Sequence, residues 1–578
     1  MKKNILLVGL GPHSKRIYLN YFKKYHSNLA IVVDLYSNKE KVRAYLDENG
    51  FKDTYIFSIS DKYKNNEHLP EDVSQELLSV CQQYKINKII ISTEPKGHYM
   101  YLEFALTHNI DVLTDKPITV VKNMTSLRSI KKVRKQYYTI LNLAKKSKAK
   151  CNVMCQRQYH RGYEYVKSLL KETVEKYKIP ITYIDIYHCD GNWEMPHDLD
   201  KENHPYKYGY GKLFHSGYHF IDLLSDFIKI NNVLEDSKKI TQGQIFSRCF
   251  TPNDELAVFN IEDYKRIFKN QNIPSFYYEN TYPNFDKYGE KNFYGLLEFK
   301  NCYNQVITSA NLNLLHYGFS RRGWIESRDF YKKNGRIRHE RINIQVGPLM
   351  NIQIHSYQSK EIKDRLDNKT EEQIGGLEHF DIDIYRNVDI IGGKPYEKIK
   401  LGDLYSDDEK HNILGYNELS REIYLNNFLN GNCRKGDIRD QALAIEILYS
   451  CALGIRNHYE NKEQIEDIIV RNRRIYPIQV EEFKSFSNKS TINDKKIGVK
   501  HYATEGNDYE FGVFINYLTD KKEYEVFLYV ADNYSVSSLL LHKIFFTKQL
   551  ALLYYRVLKK IVNFHNIYII AKLVGLKV

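Results

Sequence analysis

Ile5-Leu6-Leu7-Val8-Gly9-Leu10-Gly11-Pro12-His13-Ser14 joins a short apolar run to a glycine-rich turn. Four consecutive apolar residues fit a buried parallel strand. The turn reads G-x-G-x-x-small, with helical spacing beginning near Ser14. Gly9 allows the tight turn, Gly11 lets a pyrophosphate approach the backbone, and a small residue at Ser14 lets helix and strand pack closely. The motif is weak alone and gains weight from lying between a strand and a helix. The next apolar run, Ala30-Ile31-Val32-Val33, ends in Asp34, about twenty residues beyond the glycines. A carboxylate there accepts from a ribose 2′-hydroxyl and repels a 2′-phosphate, so NAD is expected over NADP, although Lys39 lies close. The alternative for Asp34 is a strand-end turn residue.

The pattern then repeats. Helical spacing over Lys39–Asn49 and Glu71–Tyr84, strands near Tyr55–Phe57 and Lys88–Thr93, and a helix near Tyr99–His108 lead to Asp111-Val112-Leu113 and then Thr114-Asp115-Lys116-Pro117. Alternating strands and helices predict a doubly wound parallel sheet. Lys116, after a strand and before a proline, falls at the C-terminal sheet edge, where ligands bind in open α/β folds.

The chain has 578 residues, 42% hydrophobic and 27% charged, a globular composition with room for several domains. Its net charge of +14 admits a polyanionic partner, but it also follows from a Lys, Asn, Ile and Tyr bias along the whole sequence. No interleaving of basic and aromatic residues forms a nucleic-acid module. Eight scattered cysteines do not make a disulfide framework, so reduced thiols and a cytoplasmic location are expected. The apolar run to Leu10 is too short for a signal peptide, and no run of 18 apolar residues occurs.

With the glycine turn, Asp34, Ser92-Thr93-Glu94-Pro95-Lys96-Gly97-His98 and Asp115-Lys116-Pro117 in this order, the sequence resembles the Gfo/Idh/MocA oxidoreductases, relatives of glucose-fructose oxidoreductase and inositol dehydrogenase. The family's usual Glu-Lys-Pro has Asp115 in place of Glu. The resemblance implies that Thr93, His98 and Asp115 adjoin the cofactor, with Lys116 beside nicotinamide and substrate hydroxyl. A second match, Gly211-Lys212-Leu213-Phe214-His215-Ser216-Gly217-Tyr218-His219-Phe220-Ile221-Asp222, aligns His219 and Asp222 with a family helix. There His215 replaces an acid. The resemblance spans about residues 1–475.

Those residues divide into a dinucleotide-binding domain, 1–150, and a substrate and oligomerisation domain, 151–480. The second domain's alternating segments near 181–188, 240–250, 293–300, 304–315, 325–331, 337–346 and 350–357 predict a large, open, mostly antiparallel sheet. Such a sheet often pairs two family members, so a homo-oligomer is expected. Two stretches, 251–292 and 359–380, read as insertions, the first crowded with Phe276, Tyr277, Tyr278, Tyr282, Phe285 and Tyr288. Arg157, after the run at Cys151, is a substrate candidate or a surface salt bridge. On a helix His215, His219 and Asp222 share a face. His219 is then a general acid or base with His215 and Asp222 as substrate contacts, a half-built zinc site lacking a third ligand, or a packed histidine. No metal is expected. Asn417–Asn430 and the helix capped by Asp437-Ile438-Arg439-Asp440 read as packing elements that return to the first domain.

Residues 481–578 lie outside the resemblance and read as an α+β extension. Lys484–Lys496 is a polar linker. A hairpin turns at Thr519-Asp520-Lys521-Lys522. From Lys543 onward seven lysines and arginines and no acid punctuate an apolar sequence. A basic amphipathic helix of that kind packs on its own chain, or docks on an anionic membrane or another protein.

The expected activity is hydride transfer between NAD and a hydroxyl-bearing carbon of a sugar, cyclitol or sugar derivative. Imine or thiazoline reduction in secondary-metabolite assembly, and a non-catalytic nucleotide-binding scaffold, are the alternatives that the His215 and Asp115 departures leave open.

Overall fold

The computed structural model describes residues 4–199, 206–268, 285–318, 320–321, 338–358, 380–406 and 416–470, and the strands within 502–545. The chain divides into two compact units, Met1–Arg471 and Asn472–Val578.

In the first unit, β1 (Asn4–Val8), β2 (Asn28–Leu35), β3 (Tyr55–Ile59), β4 (Lys88–Ile91), β5 (Asp111–Thr114) and β6 (Cys151–Val153) form a wholly parallel sheet in the order β3-β2-β1-β4-β5-β6. The order reverses between β1 and β4, the switch point at which such sheets open a crevice. Ile5, Leu7, Ile31, Val32, Ile90, Val112 and Leu113 are fully buried, as helices on both faces require. Cys151–Val153, expected to open the second domain, is instead this sheet's sixth strand. Its three residues pair in register with Val112, Leu113 and Thr114 and are buried.

The second sheet contains β7 (Ile181–Trp193), β8 (Gln242–Phe250), β9 (Asn292–Lys300), β10 (Val306–Tyr317), β11 (Ser320–Arg321), β12 (Arg338–Val346), β13 (Met350–Gln358), β14 (Phe380–Arg386), β15 (Tyr396–Lys400) and β16 (Glu466–Ile469). The order is β15-β14-β13-β12-β7-β10-β9-β8-β16, with β11 beside β7. All pairings are antiparallel except β10 with β7 and β11 with β7. Side chains alternate as the pleat demands. Ile184, Ile186, Leu312, Leu314, Ile342 and Ile344 are buried on one face, while Tyr183, Tyr187, Asn311, Asn313 and Asn343 stand half-buried on the other. Helices Arg161–Tyr177 and Tyr218–Ile230 lie on the buried face. Strands β14, β15 and β16 were not apparent in the sequence. The strand expected near 325–331, the ring cluster from Phe276 to Tyr282 and most of the insertion at 359–380 lie outside the described residues.

Helix Tyr416–Leu429 packs on the first domain. Asp437 caps the short turn Ile438–Gln441 by accepting from the Arg439 N–H at 2.8 Å, and helix Ala442–Tyr459 follows. That helix lies against Leu127–Lys146 through Glu446, which accepts from Arg134 at 3.1 Å and from the Tyr138 hydroxyl.

In the second unit β17 (Tyr502–Thr504), β18 (Asn507–Leu518), β19 (Glu523–Asp532) and β20 (Ser537–Phe545) form an antiparallel sheet. Strands β18 and β19 pair from Leu518↔Glu523 outward, the expected hairpin. Lys543, expected to begin a helix, lies in β20 opposite Val526, where strand pairing overrides the helical spacing. The linker Lys484–Lys496 and residues 546–578 lie outside the described residues. Among the described residues no helix is long and apolar enough to cross a membrane.

Candidate active site

The first wall of the site is the turn after β1. Gly9 has φ +84°, and a Cβ there would sit 2.9 Å from the Ser92 carbonyl oxygen and the Thr93 Cα. Glycine is therefore required where the turn crosses the end of β4. Gly11 differs: a Cβ there meets nothing within 4 Å, so the space beside its backbone is open. Pro12–Ser14, a π turn at Lys15–Leu19 and Asn20–Lys24 continue as one helical run, and its free N–H groups open onto that space. Ser14 is fully buried and donates to the carbonyls of Gly9 (2.7 Å) and Ser92 (3.1 Å), tying helix, turn and β4 together. Asp34, at the end of β2, accepts from the N–H groups of Leu10 (2.9 Å) and Leu35 (2.8 Å) and from the Asn38 amide (2.8 Å). Its carboxylate thus braces the glycine turn. Gly11's open flank, the helix start and this carboxylate fit a dinucleotide.

The second wall is the edge formed by β4 and β5. Asp115 accepts from the Tyr18 hydroxyl (2.5 Å) and the Ser92 hydroxyl (2.6 Å), and His13 lies 3.7 Å away. It joins three parts of the domain at one carboxylate. His98 is completely buried between two carbonyls, with Nδ1 2.9 Å from Pro117 O and Nε2 3.1 Å from Thr93 O. Its ring fixes the loop after β5 to the loop after β4, and burial lowers its pKa. Thr93 presses on Gly9. The Lys116–Pro117 peptide is cis. The Lys116 amine donates to the carbonyl of His215, across the cleft in the second domain. Burial drives its pKa down to about 8, with Arg421 and Arg157 acting in the same direction and Asp115 and Asp190 opposing.

The third wall comes from the second domain. A π turn at Leu213–Gly217 leads into helix Tyr218–Ile230. The extra residue of that turn interrupts the regular register, and His215 and His219 do not share surroundings. His215 is exposed and meets Lys116 through its backbone, whereas His219 is buried. The Nδ1 of His219 is buried without a hydrogen-bond partner. Burial, then Lys116 and Arg157, hold its pKa well below the usual range, so the ring is neutral. Asp222 lies deeper, accepting from the amides of Gln158 (2.9 and 3.0 Å) and Gln441 (2.8 Å). Burial pushes it up to about 6. Those amides account for Asp222 as a lock between three segments rather than a substrate contact. Arg157 is buried, pairs with Glu340, and lies 4.3 Å over the Phe220 ring. The surface salt bridge weighed for it is excluded.

Residues 3–144 match the family model described as "Oxidoreductase family, NAD-binding Rossmann fold", Gfo/Idh/MocA. The first domain is a Gfo/Idh/MocA domain. Comparison with curated proteins finds no match. Similar solved structures include an oxidoreductase from Agrobacterium radiobacter in complex with NAD+, L-tartaric acid and magnesium. It is 10% identical, the match covers 81% of this chain and 99% of that one, and the TM-score is 0.47. The WlbA dehydrogenase from Bordetella pertussis, in complex with NADH and UDP-GlcNAcA, is 12% identical over 82% of this chain and 100% of its own, with TM-score 0.44. A 3-ketoreductase from Actinomadura kijaniata, with NADP and TDP-benzene, is 9% identical over 79% and 98%, also with TM-score 0.44.

Facing the Gfo/Idh/MocA domain is a buried polar cluster absent from the sequence reading. Asp190 accepts from Lys212 (2.6 Å) and from the Ser216 hydroxyl (2.7 Å), and lies 3.1 Å from His316 Nδ1. Lys212 also lies 2.7 Å from His188 Nδ1, and His316 Nε2 is 3.2 Å from Glu194. Burial opposes ionisation of Asp190, but Lys212, His188 and His316 outweigh it and hold its carboxyl well below the usual range. Glu290 accepts from the N–H groups of Gly211 (3.1 Å) and Leu213 (2.6 Å) at the helix start, and burial pushes it up to about 7. One signal did exist. The inward series of β7 runs Ile184, Ile186, His188, Asp190, and that of β10 runs Leu312, Leu314, His316. Glu340 precedes Ile342 and Ile344 in β12 and pairs with His188. At one end of the sheet, aliphatic inward positions become polar in three adjacent strands. Among the described residues no group of three or more His, Cys, Asp or Glu is placed to hold a metal ion.

Proposed function

We propose that the chain is an NAD(H)-dependent oxidoreductase that transfers a hydride between nicotinamide and a hydroxyl-bearing carbon of a sugar, cyclitol or sugar derivative. The observation that carries this reading is the Lys116 amine, held at the C-terminal sheet edge with its pKa brought down to about 8. An amine of that basicity exchanges protons near neutral pH, as a general acid–base group must. Bound nicotinamide supplies the hydride acceptor or donor.

Lys116 takes the hydroxyl proton during oxidation and returns it during reduction. His219, neutral and with Nδ1 unpartnered, offers the same oxygen a second hydrogen bond. Its burial beside Lys116 and Arg157 disfavours protonation, so it orients the oxygen more readily than it carries a charge. Asp190 and the groups around it give the substrate side a fixed arrangement of polar atoms. Asp34 favours NAD over NADP. His215 contributes its carbonyl, and Asp222 holds the helix that carries His219. The half-exposed outer face of the second sheet, with Tyr183, Asn311, Asn343 and Asn351, suits contact with a second copy.

The test is a panel of polyols, sugar acids and sugar derivatives mixed with NAD or NADP, followed by the absorbance of the reduced nicotinamide. Turnover with a polyol or sugar-like substrate and NAD, lowered by about 10²-fold or more in Lys116→Ala, is expected. Binding of reduced nicotinamide with turnover only on imines would replace the substrate class. Absence of any nicotinamide binding would remove the enzyme reading.

A further inference from the structure

Helix Tyr416–Leu429 lies against the glycine-turn side of the first domain. Tyr424, Leu425, Phe428 and Leu429 share one buried core with Leu10, Ile17, Tyr18 and Tyr21. Two polar contacts fix its register. Glu422 accepts from Lys24 at 2.8 Å, and Asn426 accepts from the Tyr21 hydroxyl. Arg421 stands three and four residues before Tyr424 and Leu425, so it projects from the same inward face one turn earlier. Its side chain is only 15% exposed, and Nη1 donates to Glu418 at 3.1 Å. Its positive charge acts at once on His13, Tyr18, Lys116 and His219. These groups stand beside the glycine turn, at the Asp115 carboxylate, at the sheet edge and on the opposing helix. The packing of this helix on Leu10, Ile17 and Tyr18 sets Arg421 on the glycine-turn side of the domain, and its charge reaches groups from that turn to Lys116.

We propose that Arg421 holds the dinucleotide's pyrophosphate from the side opposite the glycine turn. The proposal rests on the NAD(H) reading and extends it to a residue outside the first domain. Pyrophosphate presents two anionic groups. The helix start beside Gly11 can satisfy one side through backbone N–H donors. A guanidinium satisfies the other through its paired donors, a geometry that an ammonium lacks. Glu418 keeps the guanidinium occupied until the anion replaces it.

The purified full-length chain is titrated calorimetrically with NADH, ADP-ribose and adenosine. Arg421→Gln is expected to weaken NADH and ADP-ribose by about 10- to 100-fold, the loss of one charge-assisted contact, and to leave adenosine unchanged. Arg421→Lys recovers part of the loss. Unchanged ADP-ribose affinity in Arg421→Gln overturns the proposal, as does an equal loss for adenosine, which would mean a distorted groove. Glu418→Gln provides the check should Arg421→Gln fail to fold: removing the competing carboxylate is expected to tighten ADP-ribose several-fold, and no change counts against the proposal. Failure of the unaltered chain to bind NADH or NADPH is a separate result that overturns the NAD(H) reading itself.

Discussion

At Lys116 the chemistry depends on which protonation state the direction of reaction needs. Oxidation of an alcohol needs the neutral amine, so kcat is expected to rise with pH and level off above about 8. Reduction needs the ammonium and falls over the same range. Asp115 raises the Lys116 pKa, so Asp115→Asn moves both limbs to lower pH, read from the two pH–rate profiles. Lys116→Ala is expected to lower kcat/KM by about 10²- to 10⁴-fold; full turnover in that variant would reject the role. The two glycines separate folding from binding. Gly9→Ala forces a side chain into a positive-φ position against Ser92 and Thr93, at a cost of about 1–3 kcal/mol in urea unfolding. Gly11→Ala meets no protein atom and leaves the urea midpoint unchanged, yet it occupies the approach to the backbone, so NADH titration weakens. A Gly11→Ala chain with native NADH affinity would place the cofactor elsewhere.

Among the elements, the helix start at Leu213 depends on Glu290, at the far end of the insertion that spans 251–292. Its carboxyl, ordinarily near 4.5, is pushed up to about 7 by burial. A raised carboxyl pKa means that the folded state prefers the protonated form. Its contribution to stability is therefore complete below pH 4.5 and lost as pH rises through about 7, by roughly 3 kcal/mol. Glu290→Gln removes that titration, so the stability gap between the two proteins should change between about pH 4.5 and 7 and be flat above, as paired urea melts would show. A constant gap would mean that Glu290 does not titrate there. What the sequence revealed follows from where each interaction is local. The glycine turn, the acid after the second strand and the lysine before proline sit within single loops, so spacing exposes them. The cluster of Asp190, Lys212, His316 and Glu194 is assembled by strand pairing and helix packing across more than a hundred residues, so each member looks like an isolated polar residue. His215 misled because four-residue spacing assumes an uninterrupted α-helix, and the π turn breaks that assumption.

For the whole molecule, the division at Arg471 predicts that a chain ending there still melts cooperatively and binds NADH as the full chain does. Sedimentation equilibrium of the full chain should give a multiple of 68.5 kDa if the outer sheet face joins two copies. Assembly unaffected by charged substitutions at Asn311 and Asn343 would assign it to another surface. One more consequence comes from the amine resting on the His215 carbonyl. The Lys116 amine is latched to a peptide oxygen of the opposing domain. An incoming molecule has to offer a better acceptor than that oxygen before proton exchange can begin. Deoxy analogues with the right outline but no reacting oxygen would dock with the latch still shut, so recognition and activation are separate events.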